Sequence, residues 1–345
     1  MNAQITHICQ FVDNHNDYCG KRQPLEFFAD TQLTYEHLVL ECQERRGLNG
    51  YWVDANARSV TAEEASEELG YPVYRDGIML KAWNGQMQFR PDPNEESPGN
   101  GNKKDSPKYL SPKGDYDVML PVNPHNPRYW LDFKALKEEC IKVNGIPCIV
   151  DTEGMFKAIT GCFNGIPTVA SLGVEMGLTP KKNHPEGKRE LVNHLKILAR
   201  EGFGFIIAND ADTVVNKNIR FAQKNLYLEL KEHTPNVFIA SGLWGFEQGK
   251  GMDDYIQKNG ADKFKKEVLE KALTLEAWEK QFPGDVQGET RSNSHPKPKP
   301  KDIAQKVADK FRNEWNYHNE QQIWRRFTGK IWESVGDNVF AEMTY

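Results

Sequence analysis

Two apolar runs that each end in acid constrain this chain more than any other feature. Ile146-Pro147-Cys148-Ile149-Val150-Asp151-Thr152 leads into Glu153, and Phe203-Gly204-Phe205-Ile206-Ile207-Ala208 leads through Asn209 into Asp210-Ala211-Asp212. Short apolar runs of this kind read as strands buried on both faces, as in a parallel sheet covered by helices. Ligands of such sheets sit outside the carboxyl ends of the strands. Read as a strand end, Asp210 and Asp212 share a face, because alternate strand residues point the same way. Clustered carboxylates repel unless a cation neutralises them, and hard oxygen donors favour Mg²⁺. By the same argument, replacing Asp210 with Asn is expected to keep or raise stability without metal. The chemistry expected is that of phosphates.

The surrounding pattern supports a sheet. Strands are expected at 146–152, 168–172, 203–209 and 236–241, with helices near 155–162, 188–200, 218–233 and 253–272 between and after them. Strands separated by helices of this length imply βαβ units and a mostly parallel sheet. Residues 1–80 read as mainly helical. The clearest helix there starts at Thr61, which can cap it with Glu64 completing a capping box, and stops at Gly70. Strand-like pieces at 77–83 and 86–90 flank Asn84-Gly85, a strong hairpin signal. Residues 91–107, rich in Pro, Gly, Asn and Lys, read as a long loop. Pro296-Lys297-Pro298-Lys299-Pro300-Lys301 marks 287–302 as a stiff linker. The expected domains are therefore an N-terminal α+β domain over 1–140, a Rossmann-like domain over 146–286, the linker, and a helical segment over 303–345. That last segment carries Trp315, Trp324, Phe327 and Trp332 and reads as the start of a further packed unit.

Four motifs fall in order: Glu153-Gly154 at a strand-to-helix turn, Ser171-Leu172-Gly173, Asp210-Ala211-Asp212, and Lys250-Gly251-Met252-Asp253-Asp254. Their order and spacing over about 146–272 resemble a TOPRIM domain, the metal-binding fold of bacterial primases, topoisomerases and some nucleases. The resemblance implies an α/β fold, TOPRIM-like and preceded by a smaller α+β domain. It implies that Glu153, Asp210 and Asp212 hold Mg²⁺ or Mn²⁺, with Asp253 and Asp254 as further metal candidates. Upstream, Gln88-Phe89-Arg90-Pro91-Asp92 and Pro107-Lys108-Tyr109-Leu110-Ser111-Pro112 resemble the basic half of a bacterial primase core. More closely, 64–282 is similar to the front half of cyanobacterial plasmid replication proteins, which pair this module with a helicase. Tyr116-Asp117-Val118-Met119-Leu120-Pro121 and Gly173-Val174-Glu175-Met176-Gly177-Leu178-Thr179 carry that similarity. In those proteins a segment like Trp324-Arg325-Arg326-Phe327 begins the link to the helicase. The chain departs from bacterial primases in lacking their cysteine-rich zinc module.

Basic residues supply the other half of the expected site, because phosphate contacts come mainly from Lys and Arg. Lys157, one turn into the helix after Glu153, joins Glu153, Asp210 and Asp212 as a catalytic candidate. Arg90, Lys108, Tyr109, Lys113, Lys181 and Lys182 are the nucleic-acid and nucleotide candidates; Lys188 and Arg189 lie in the same basic cluster. His184 reads as a loop residue, and Trp83, Trp130 and Trp244 as core. The formal net charge of −5 over 345 residues argues against a wholly basic nucleic-acid binder but not against local basic surfaces. The six cysteines include no Cys-x-x-Cys pair, so neither a zinc ribbon nor a secreted disulfide framework is expected. With no apolar leader and no membrane span, the reading is cytoplasmic, with no membrane partner. The expected function is a primase-like, metal-dependent nucleotidyltransferase module of a plasmid or mobile-element replication protein. Its partners would be single-stranded DNA template, nucleoside triphosphates and a helicase domain or subunit. Two alternatives remain on the same residues: a metal-dependent nuclease, since the fold does not fix the reaction, and a non-catalytic DNA-binding and helicase-loading module.

Overall fold

The computed structural model describes residues 32–93, 108–180, 183, 188–283, 315–318, 323–328 and 332–335. Two units separate by their contacts, 1–284 and 285–345. Within the first, α1 (Gln32–Val39) runs into a wider turn at Leu40–Glu44 and is followed by α2 (Gly50–Asn56). Within this mainly helical start, Ala57–Val60 then forms strand β1, which the sequence reading did not expect. Helix α3 (Ala62–Leu69) begins where local chemistry says it should. The Thr61 hydroxyl accepts from the Glu64 amide at 3.2 Å, and the Glu64 carboxylate accepts from the Thr61 amide at 2.8 Å. It ends at Gly70.

Strands β2 (Gly77–Lys81) and β3 (Met87–Pro91) form the hairpin that Asn84-Gly85 announces, and β1 pairs with β2 to complete an antiparallel sheet. Past the segment 94–107, which lies outside the described residues, the chain returns beside β3. Phe89 and Leu110 exchange both backbone hydrogen bonds, at 2.7 and 2.8 Å. That exchange sets Lys108 and Tyr109 beside Arg90. Met119 and Ala170 make a second such exchange, at 2.8 and 2.9 Å, which fastens this half of the unit to the edge of the main sheet.

The main sheet is α/β. Helix α4 (Phe133–Glu139) precedes β4 (Ile141–Val143), which turns antiparallel into β5 (Ile146–Glu153). Then come α5 (Met155–Phe163), β6 (Thr168–Ser171), α6 (Asn193–Arg200), β7 (Gly204–Ile207), α7 (Lys217–Lys231) and β8 (Val237–Ile239). Strands β5, β6, β7 and β8 are parallel; β7 lies on one flank of β5 while β4 and β6 share the other. Helices α8 (Met252–Asn259), α9 (Ala261–Glu267) and α10 (Leu275–Gln281) close the unit.

Period-two alternation puts Ile149, Phe205, Ile207 and Ile239 into one apolar cluster and Val150, Ile206 and Phe238 into the other. The first cluster is shared with Leu38, Trp52, Leu80 and Trp130, so the antiparallel half and the α/β half have a common core. Trp130 and Trp244 are buried within the clusters and Trp83 packs against the first. Cys42, Cys140, Cys148 and Cys162 are free and buried. Helix α6 starts later than the expected 188, because Leu191 instead bridges Leu178 in extended pairing. Among the described residues, no helix is long and apolar enough to cross a membrane.

In the second unit, the helix expected over 303–345 is not what the described residues form. Trp315–His318 (β9), Ile323–Phe327 (β10) and Trp332–Val335 (β11) make an antiparallel sheet with β10 in the centre. The register sets Phe327 opposite Trp332. The expected linker 287–302 lies outside the described residues.

Candidate active site

The site assembles where neighbouring parallel strands end. Asp151 pairs with Ile207 across β5 and β7, so Glu153, two residues on, and Asp210, three residues on, leave the same edge of the sheet. Gly154 makes the turn into α5 with φ of 93°, a left-handed backbone that a side chain would strain, and its amide donates to the Ser171 carbonyl at 3.0 Å.

Asp210 and Asp212 are not on a strand. Strand β7 stops at Ile207, and residues Ala211–Val214 form a 3₁₀ turn with Asp210 at its head. The Asp210 carbonyl accepts from both the amide (3.0 Å) and the hydroxyl (2.7 Å) of Thr213. This turn, rather than strand alternation, brings the two carboxylates together. The Ala211 amide donates to the Lys250 carbonyl at 2.9 Å, which ties the turn to the segment before α8.

Two lysines neutralise the acids. The Lys157 ammonium donates to Asp210 Oδ1, with both side chains less than a fifth exposed. Lys250 Nζ lies 3.3 Å from Asp212 Oδ2 and 3.8 Å from Asp210 Oδ2. Burial lowers the pKa of Lys157, but Asp210, Asp253 and Glu153 outweigh it and hold the ammonium charged. Burial raises the pKa of Glu153; Asp210 and Asp212 add to that rise, and Lys157 and Lys108 oppose it. The three acids and two lysines therefore share one field.

Gly251 packs against this group. A Cβ there would stand 2.7 Å from Lys157 Cε, 2.5 Å from Asp253 Oδ1 and 3.3 Å from Asp210 Oδ1. As they stand, no three His, Cys, Asp or Glu side chains among the described residues are arranged to hold a metal ion. The donor set nevertheless suits a hard cation on two observations. Asp212 Oδ1 is buried without any hydrogen-bond partner, and the exposed ammonium of Lys250 already occupies a cation's place between the two aspartates.

The other expected residues divide. Asp253 is buried and committed to Arg46, whose Nε donates to its Oδ2 at 2.8 Å. Burial works against ionisation of Asp253, but Arg46 and Lys157 prevail and lower its pKa. Asp254 accepts from the Gly251 amide at 3.3 Å, capping α8, and pairs with Arg45 at 3.4 Å. Arg90 is buried rather than offered to a ligand. It donates to Glu41 and, at 2.9 Å, to the Tyr109 hydroxyl. Lys108 is exposed, its ammonium 5.6 Å from the Tyr109 ring centre. Partial desolvation of its ammonium, and then repulsion from Arg90 and Lys157, lower its pKa. Lys113 sits instead over the Tyr71 ring, at 5.5 Å. Arg189 binds the carbonyls of Glu175, Leu178 and Thr179, and Lys188 pairs with Glu229 at 3.0 Å. Lys181, Lys182 and His184 lie outside the described residues.

Sequence reasoning missed the chain of charges behind the site. Glu41 binds Arg46 at 2.7 Å and also binds Arg90, and the Arg46 guanidinium lies 4.5 Å from the Phe156 ring centre. Partly buried Tyr109 is thus linked through the buried Arg90, Glu41 and Arg46 to Asp253, whose charge acts on Lys157. Burial raises the pKa of Glu41, but hydrogen bonding and charge from Arg46, with Arg90 and Arg45, more than reverse this.

A family model described as a Domain of unknown function (DUF3854) matches residues 138–263. No curated protein matches the chain. Among solved structures, the chain is similar to the primase of Aquifex aeolicus in its zinc-binding and RNA polymerase domains. That similarity has 16% identity and a TM-score of 0.44, over 75% of this chain and 59% of that one. The chain thus spans well under two thirds of the length of that structure.

Proposed function

We propose that this chain is a primase-like, metal-dependent nucleotidyltransferase module of a DNA replication protein, of the plasmid or mobile-element kind. One observation carries the reading: Asp210 and Asp212 meet two ammonium groups at the sheet edge where Glu153 also emerges. Acids and cations interleaved in this way suit a substrate that brings its own negative charge together with a divalent ion.

In this reading Glu153, Asp210 and Asp212 hold Mg²⁺ or Mn²⁺. A divalent ion bound there would neutralise the charge that builds on the phosphate during in-line transfer. The residues of the chain do the rest. Lys157 holds Asp210 in place and faces the phosphates. Against burial, Asp210 first and then Asp253, fixed by Arg46, keep Lys157 charged. Lys108 and Tyr109, set in place through β3, would contact a template strand or incoming nucleotide. Single-stranded DNA and nucleoside triphosphates are the proposed substrates, and a helicase domain or subunit the proposed partner.

The test is to incubate the full chain with an end-labelled single strand, nucleoside triphosphates and Mg²⁺. New strands that disappear in Glu153→Gln support the proposal. Shortened input strands would replace it with a nuclease. Absence of any product, with strand binding unchanged in chelator, would replace it with a non-catalytic binding module.

A further inference from the structure

The two lysines at the acids differ in one respect that matters. Lys157 is enclosed, with its Cε against the backbone of Gly251 and its ammonium in the fields of Asp210, Asp253 and Glu153. The Lys250 side chain is 58% exposed and touches the acids only through its tip, at 3.3 and 3.8 Å. Its backbone is nevertheless fixed to the aspartate turn by the bond from Ala211. A four-carbon stem with a pinned base and a free tip can move its charge by several ångströms while staying at the site.

We propose that Lys250 is a displaceable internal counter-ion, an inference that rests on the metal-dependent reading above. In the ion-free protein it neutralises Asp210 and Asp212. When those carboxylates take a divalent cation, the ammonium is repelled. It swings outward and binds a phosphate oxygen of the nucleotide. Fully ionised, Glu153, Asp210 and Asp212 exceed the two lysines by one negative charge. With a divalent cation in place of Lys250, the acids and Lys157 are neutralised, and the expelled ammonium beside them makes the site attractive to a polyphosphate. The buried and unpartnered Asp212 Oδ1 marks the position left to the cation. Metal and substrate binding are coupled in this way through one side chain.

The experiment uses the full chain and two probes, Mg²⁺ alone and inorganic triphosphate in saturating Mg²⁺, both followed by calorimetry. Lys250→Met removes the competing charge and is expected to bind Mg²⁺ about fivefold tighter, the upper worth of a half-exposed ion pair. It should bind triphosphate roughly tenfold more weakly, the worth of a lost charge-assisted hydrogen bond. Lys250→Arg keeps the charge and should return Mg²⁺ affinity close to that of the unaltered protein. Opposite signs for the two probes are the signature, since a merely structural lysine would move both the same way. Mg²⁺ affinity that is unchanged or weaker in Lys250→Met, or triphosphate binding that is unchanged, overturns the counter-ion role and leaves the metal site standing. If the unaltered protein binds no Mg²⁺, the counter-ion role and the functional reading fall together.

Discussion

Removing Arg46 should show how far the fold depends on the charges behind the site. The Arg46 side chain is 4% exposed and Asp253 is 2% exposed. In Arg46→Met the methylene stem can still cover Phe156. What is lost is the 2.8 Å bond to Asp253, the 2.7 Å bond to the Glu41 carboxylate, the bond to the Glu41 carbonyl and the cation–π contact at 4.5 Å. Glu41 keeps Arg90 and Arg45. Among the described residues Asp253 has no other arginine bonded to it and becomes a buried carboxylate left with the charges of Lys157 and Arg45 and a backbone hydrogen bond from Asp254. Breaking a buried pair by removing one partner costs about 3–5 kcal/mol. For a unit of this size each kcal/mol lowers the melting temperature by roughly 2–4 °C, so the fall should be roughly 6–20 °C. Urea unfolding of Arg46→Met, Asp253→Asn and the double variant gives the cycle. The double variant should cost less than the sum by about 0.5–3 kcal/mol, because it leaves no unpaired charge. A cost below about 1 kcal/mol for Arg46→Met, or strictly additive effects, would refute the reasoning.

Acid should act through the same residues. Glu41 and Asp253 have folded-state pKa values below their ordinary ones, 4.5 and 3.8. Their stabilisation is therefore present above those values and lost as pH falls through the folded ones. Urea midpoints should drop below pH 4.5, and the drop should be shallower in Glu41→Gln; equal slopes would contradict this. Asp210→Asn should lose about 1 kcal/mol rather than gain, since it trades a charge-assisted bond from Lys157 for a neutral one. Relief of repulsion was the expectation from sequence, and a raised melting temperature would restore it. Gly251→Ala should cost about 1–3 kcal/mol by pressing on Lys157 and Asp253, and should weaken divalent-ion binding; unchanged binding would mean that the close approach is incidental.

What was legible in the sequence was whatever near neighbours decide. Thr61 and Glu64 cap one another, Asn84-Gly85 turns a hairpin, and the apolar runs at β5 and β7 carry their period in themselves. The turn at Asp210 escapes a sequence reading because apolar residues continue to Ala208, while the strand ends at Ile207, the Ala208 amide makes the last backbone bond to β5 at Asp151, and Thr213 then draws the chain into a 3₁₀ turn. The tail was misread because aromatic residues spaced along a polar chain fit either period until strand partners exist. Arg46 gave no signal at all: its partner Asp253 is 207 positions away, and no local pattern reports such a distance. Lys250 stood in a noted motif, yet its place between Asp210 and Asp212 depends on a backbone bond from Ala211 that only the fold supplies.

Divalent-ion binding followed by Mn²⁺ electron paramagnetic resonance tests the central claim most directly, because it reads the ion and not the product. The account predicts a Mn²⁺ site in the unaltered protein that Mg²⁺ displaces and that Glu153→Gln, Asp210→Asn and Asp212→Asn each weaken at least tenfold, while Asp254→Asn leaves it in place. Binding that survives all three substitutions would contradict the account, since the acids at the sheet edge would then hold no ion.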